Sequence, residues 1–265
     1  MSAGAPRETA RPALEVAVST PAGARAAVAG GADRVELCSA LELGGLTPSQ
    51  GLVEAVVEVG LPVQVLIRSR PGDFVVDDDE VRLMERELRA AVSSGAAGVV
   101  IGALTEAGAL DLDVVDRLAR AARHARDDVE VTVHRAIDQS ADPVAAAASL
   151  AGRGIDRILS SGGAARAGDG VAVLRRMAAE PGAPTVMAGG GVRVGDVAGG
   201  GVRVGDVAEF LRAGITAVHV SAKRAAPRRG GAWIPLGAGV SGEGADTHFV
   251  TDQGIVEAVR VALDI

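Results

Sequence analysis

The sequence has one cysteine, one tryptophan, three phenylalanines and no tyrosine in 265 residues. A single thiol, Cys38, excludes an intramolecular disulfide, and no CxxC pair is present to seed a metal motif. With aromatics at 2%, few rings are available to stack on bases or sugars. A basic surplus is lacking too: 27 Lys and Arg stand against 34 Asp and Glu, a net charge of −7, whereas phosphate neutralisation needs the opposite sign. The one local basic cluster, Lys223, Arg224, Arg228 and Arg229, reads as loop decoration. Nucleic acid is therefore not an expected partner. No apolar run reaches the roughly 18 to 20 residues of a membrane span. The opening MSAGAPRETARPA lacks the apolar stretch of a signal peptide, so the expectation is a cytoplasmic protein with no membrane partner.

What is present is 48% hydrophobic residues with 23% charged, enough for a core built from Val, Leu, Ile and Ala. Short aliphatic runs alternate with longer Ala-rich amphipathic stretches, the rhythm of a parallel sheet. Strands are predicted at 14–18, 34–37, 62–67, 98–102, 129–134, 157–160, 184–188 and 217–220. Eight such units predict an α/β fold, a TIM-type (β/α)8 barrel in one domain spanning 13–265, with residues 1–12 as a disordered tail. Helix punctuation agrees: Thr20-Pro21 opens a helix that Gly30-Gly31 ends, Val81 to Ser94 carries Leu83, Met84, Leu88 and Val92 at helical spacing, and Asp142-Pro143 opens another. GGGVRVGDVA occurs twice in tandem, at 189–198 and 199–208, a duplication in the loop after strand seven. Residues 223–244 read as a long loop before a final helix at 251–263.

In a barrel of this kind, chemistry collects where strands end. Period-2 alternation puts Arg34, Glu36 and Cys38 on one face of strand two and Thr132 with His134 on one face of strand five. Glu36 and His134 are candidates for a general acid–base pair, against the alternative of a structural ion pair in the barrel mouth. Ser161, Gly162 and Gly163 after strand six, and Gly189, Gly190 and Gly191 after strand seven, expose backbone N–H groups. With Arg68 or Arg135 these could cradle a phosphate or carboxylate, or the glycines serve only tight turns. Arg70, Asp138 and Ser221 complete the strand-end polar set, while His219 reads as a satisfied barrel residue and His124 and His248 as surface positions. Cys38 is open to three readings: a soft metal ligand, a nucleophile or a small buried hydrophobe. Cu(I) favours thiolate and thioether donors and needs at least two; of the methionines only Met187 sits at a strand end.

Several co-linear phrases together resemble the CutC family: GGADRVELCSAL at 30–41, GGLTPS at 44–49, RSRPGDF at 68–74, Thr105-Glu106 with Gly108, HRAID at 134–138, DRILSSGG at 156–163, GGGV at 189–192 and HVSA at 219–222. The resemblance runs from about Leu14 to the C-terminus. It implies a TIM-type barrel in the cytoplasm, a homo-oligomer (dimer or tetramer), a role in copper homeostasis and Cu(I) bound through cysteines, here Cys38. Two departures stand out. Ala17 takes the place of a cysteine that the family commonly carries on its first strand, and GGGVRVGDVA stands twice where the family has one copy. The residues themselves point elsewhere, to a mouth built from Glu15, Glu36, Arg68, His134 and the glycine turns. Such a mouth suits a small anionic or phosphorylated metabolite.

Overall fold

Strands such as Val63–Leu66 and Gly98–Ile101 are buried at every position, so both of their faces have to be covered. The structure is a computed structural model that describes residues 11–190, 204–226 and 248–265. In it β1 (Ala13–Val18), β2 (Arg34–Leu37), β3 (Val63–Leu66), β4 (Gly98–Ile101), β5 (Glu130–Val133), β6 (Arg157–Ser160), β7 (Thr185–Gly189) and β8 (Ala217–Val220) form a closed barrel in sequence order. Every pairing is parallel, and β1 closes on β8 with Glu15 beside His219. The helices are α1 (Pro21–Ala29), α2 (Gln50–Val57), α3 (Asp78–Ser93), α4 (Leu112–Ala125), α5 (Pro143–Ser149), α6 (Val171–Ala179), α7 (Val204–Arg212) and α8 (Gln253–Leu263). The fold is the expected TIM-type barrel.

Local chemistry sets the ends of these elements. The Thr20 hydroxyl accepts from the Gly23 N–H ahead of Pro21, and Asp77 with Glu80 forms a reciprocal capping box on α3. Alternate strand residues (Val16, Val35, Val65, Val99, Val131, Ile158, Val218) pack with the helices in one continuous core. The other set points into the lumen, and one contact proves it. Arg34 on β2 bonds Glu130 on β5 at 2.8 and 2.6 Å, and because these strands are not neighbours, the two side chains meet across the barrel.

The structure differs from expectation at three places. Lys223–Ala225 (β9) and Phe249–Thr251 (β10) pair antiparallel where a loop was expected, so Thr251 ends a strand and Asp252 caps α8. Arg11 and Pro12, expected in the tail, are held: Arg11 pairs with Asp264 at 3.0 Å, and Arg260 donates to the Pro12 carbonyl. Of the duplicated decapeptides, Gly189 closes β7 and residues 204–208 open α7, while residues 191–203, Gly191 among them, lie outside the described residues.

Candidate functional site

At the base of the lumen stand Arg34, Glu130 and Arg157, each the first residue of its strand. Glu130 accepts from both arginines, Arg157 at 3.0 Å and Arg34 at 2.6 Å. Arg34 also reaches Glu15 at 2.8 Å; Glu15 meets His219 Nδ1 at 2.8 Å, and His219 Nε2 faces Glu36 at 3.5 Å. The result is a chain of alternating charge, Arg157–Glu130–Arg34–Glu15–His219–Glu36, that climbs the lumen. Burial pushes the Glu15 carboxyl up, but the His219 hydrogen bond and the Arg34 charge outweigh it, so Glu15 lies below the usual carboxylate range. Burial, with Glu15 nearby, lifts Glu36 to about 7 against the charges of His219 and Arg34. His219 is desolvated, which would lower it, yet the charge of Glu36 and the bond to Glu15 hold it above its ordinary value. Glu36 and His219 are therefore a buried pair able to hold and return a proton at neutral pH.

The imidazole beside Glu36 is thus His219. Among the described residues no hydrogen bond or ion pair joins Glu36 to His134. His134 sits just past β5, its ring 5.1 Å from that of Phe74, whose other neighbour is the Arg68 guanidinium at 4.9 Å from the ring centre. Its Nδ1 accepts from the Ala136 N–H at 3.1 Å, which leaves the ring proton on Nε2. Burial, then the Arg68 charge, bring its pKa down to about 4, so the ring is neutral at physiological pH. Among the described residues the buried His134 Nε2 has no partner, and neither do the buried Arg68 Nε, Ser221 Oγ, Gln64 Oε1 and Thr132 Oγ1.

Arg68 braces the loops by donating to the carbonyls of Leu43, Gly45 and Gly72, yet no carboxylate pairs with it among the described residues. Arg70 is spent: Glu80, Asp73 and the Val75 carbonyl take its donors ahead of α3. The glycine turn after β6 corrects the expectation of a free anion cradle, because it already holds a carboxylate. Asp138 accepts from the backbone N–H groups of Ser161 and Gly163 and from both serine hydroxyls, 160 and 161, while the Gly162 N–H goes to Ser160 Oγ. Arg135 pairs with Asp138 at 2.7 Å and donates to Ser161 Oγ. After β7 the glycines serve packing. A Cβ on Gly189 would lie 2.6 Å from Leu159 and 2.8 Å from His219, and Gly190, at φ +130°, lies against the Arg135 guanidinium.

Cys38 is buried among Leu66 and Val100, and burial, then the charge of Glu36, push its thiol up. A thiol so placed resists ionisation, and Met187, which lies in the middle of β7 and not at its end as expected, belongs to a separate cluster with Leu159 and Ala217. Ala17, in register with Glu36, offers no second thiolate. Among the described residues no three His, Cys, Asp or Glu side chains are arranged to hold a metal ion. The donor set does not fit a Cu(I) centre. A separate depression of about 570 Å³ lies at the opposite end of the barrel between α4 and the lead into β6; its Arg123 and Arg153 are already paired with Asp156 and Asp116.

His219 is the residue whose role the sequence reading underrated, with Glu130 and Arg157 missing from it altogether. What it lacked was the closure of β8 on β1, which sets His219 beside Glu15. His124 and His248 are exposed, as expected.

The model of the CutC family matches residues 13–224. A family protein CutC of Agrobacterium fabrum is 45% identical over 181 residues, covering 68% of this chain and 70% of its own length. One from Sinorhizobium medicae is 39% identical over 252 residues, 95% of this chain and 96% of its own. Among solved structures, a CutC of Streptococcus agalactiae, named for copper homeostasis, matches with TM-score 0.67 at 25% identity, over 79% of this chain and 98% of that one. A 2,3-dimethylmalate lyase matches with TM-score 0.56 at 18% identity, over 81% of this chain and 78% of its own, and shares the fold alone.

Proposed function

The chain belongs to the CutC family, and from that premise we propose that it serves copper homeostasis, the process for which the Streptococcus agalactiae relative is named, as a cytoplasmic metabolite-binding barrel and not as a thiolate copper centre. The working site is the polar mouth. There a small anionic ligand is drawn to Arg68, and Glu36 with His219 supplies acid–base capacity for any proton the ligand gains or loses.

One observation carries this reading: among the described residues, Arg68 Nε, His134 Nε2 and Ser221 Oγ, all past the strand ends, are buried with no partner, whereas the charges at the base are paired. A buried polar atom without a partner costs free energy, and a site that waits for a ligand tolerates this because the ligand removes the cost.

The test is calorimetric titration of small anions into wild type, Arg68→Gln and Cys38→Ser, alongside anaerobic Cu(I) titration against a competing chelator. The expected result is anion binding that weakens at least tenfold in Arg68→Gln and is unchanged in Cys38→Ser. Tight stoichiometric Cu(I) binding by wild type, lost in Cys38→Ser, would overturn it.

A further inference from the structure

The mouth's unspent atoms also say what kind of anion it takes. His134 and Arg68 flank the same Phe74 ring, and each holds one buried N–H, Nε2 and Nε, that meets no acceptor among the described residues. The His134 donor cannot be redirected inside the protein, because Nδ1 is committed to the Ala136 N–H. It is a fixed, uncharged donor, and Arg68 beside it carries the charge.

The count of charges limits the ligand. Arg34, Arg157, Arg135 and His219 each have a carboxylate partner. Lys223, just past β8, lies over the Phe249 ring at 4.4 Å and feels the Glu42 charge. Among the described residues Arg68 is thus left with one positive charge to neutralise. The glycine turn that would suit a phosphate is occupied by Asp138, and a dianion would also meet the carboxyls of Glu15 and Glu36 deeper in the lumen. Among the described residues, Ser221 Oγ past β8 remains to bond a hydroxyl or carbonyl group.

We propose that the ligand is a small oxo- or hydroxy-carboxylate of single negative charge, one of whose oxygens accepts the hydrogen bond of His134 Nε2–H while its carboxylate faces Arg68. This rests on the anion-binding reading above and narrows it to a chemical class and to a named anchor. A neutral imidazole suits that work, since it donates without adding a second charge that would favour phosphates.

The experiment titrates pyruvate, lactate, glycolate, phosphoglycolate and inorganic phosphate into the protein, followed by calorimetry and by the imidazole ¹⁵N resonances of His134. The expected result is binding of the monocarboxylates, a shift of the His134 Nε2 resonance, and at least tenfold weaker binding in both His134→Phe and His134→Gln with melting temperatures within a few degrees of wild type. Preference for the two phosphates over every monocarboxylate would overturn this inference and leave the anion site standing. So would monocarboxylate binding that loses affinity in Arg68→Gln but neither moves His134 nor weakens in its variants. No binding of any anion would bring down both readings.

Discussion

The two ends of the lumen are built to opposite rules. At the base, Arg157, Glu130 and Arg34 are fully engaged with one another, and Arg34 passes the chain on to Glu15. At the mouth, Arg68 has no carboxylate partner among the described residues, and His134 and Ser221 hold buried donors with nothing to bond there. The backbone differs as well: Ala40 and Ala222, close to the ends of β2 and β8, are the two non-glycine residues with positive φ among the described residues, at 46° and 41°. Paired charges at one end and unspent donors with backbone strain at the other fit the proposed division between a part that holds the barrel and a part that meets a ligand.

The largest expected effect breaks the saturated end. Arg34→Met leaves Glu15 and Glu130 without their shared partner, and removing one member of a buried ionic network costs about 3–5 kcal/mol. Urea unfolding monitored by circular dichroism should show it, and a loss under 1 kcal/mol would mean that the base charges are solvated.

A second effect separates Glu36 from His134 by pH. Glu36, held at about 7, stays protonated in the folded state while the unfolded carboxyl ionises near 4.5, so its contribution to stability falls as pH rises from 4.5 to 7. His134, brought down to about 4, stays neutral while the unfolded ring protonates below 6.5, so its contribution falls as pH drops from 6.5 to 4. Each slope reaches at most about 1.4 kcal/mol per pH unit. In the wild type they oppose each other. Glu36→Gln should gain on the wild type as pH climbs toward 7, and His134→Phe should gain on it as pH falls toward 4. Parallel stability curves for all three proteins would show that neither group is perturbed.

The smallest effect relieves the strain. Ala222→Gly removes a left-handed alanine and should raise stability by about 1 kcal/mol, seen as a higher urea midpoint at unchanged slope. No gain would mean that the local backbone bears no such cost.

Much of the barrel is legible in the chain because its causes are local. Runs apolar on both faces, Thr20-Pro21 and Asp142-Pro143 caps and the Gly30-Gly31 stop place strands and helices without reference to distant residues. Glu36 was legible as a lumen candidate from alternation alone. Its partner was not, since His134 and His219 both lie near the C-terminal ends of their strands and only the β1–β8 closure decides which imidazole meets the carboxyls. The turn at 160–163 was ambiguous for a related reason. Glycines that expose N–H groups look alike whether a ligand or a side chain fills them, and Asp138 fills this one from the end of the neighbouring strand. β9 and β10 were missed because three-residue strands 26 positions apart leave no periodic trace.

The measurement that tests this division most directly is a pH titration of the four histidines by long-range ¹H–¹⁵N spectra. His219, locked between Glu15 and Glu36, should remain doubly protonated above its ordinary pKa of 6.5, while His134 should stay neutral with its proton on Nε2 down to about pH 4. If both rings titrate together near 6.5, or His134 carries its proton on Nδ1, the mouth holds no fixed neutral donor and the contrast between the two ends fails.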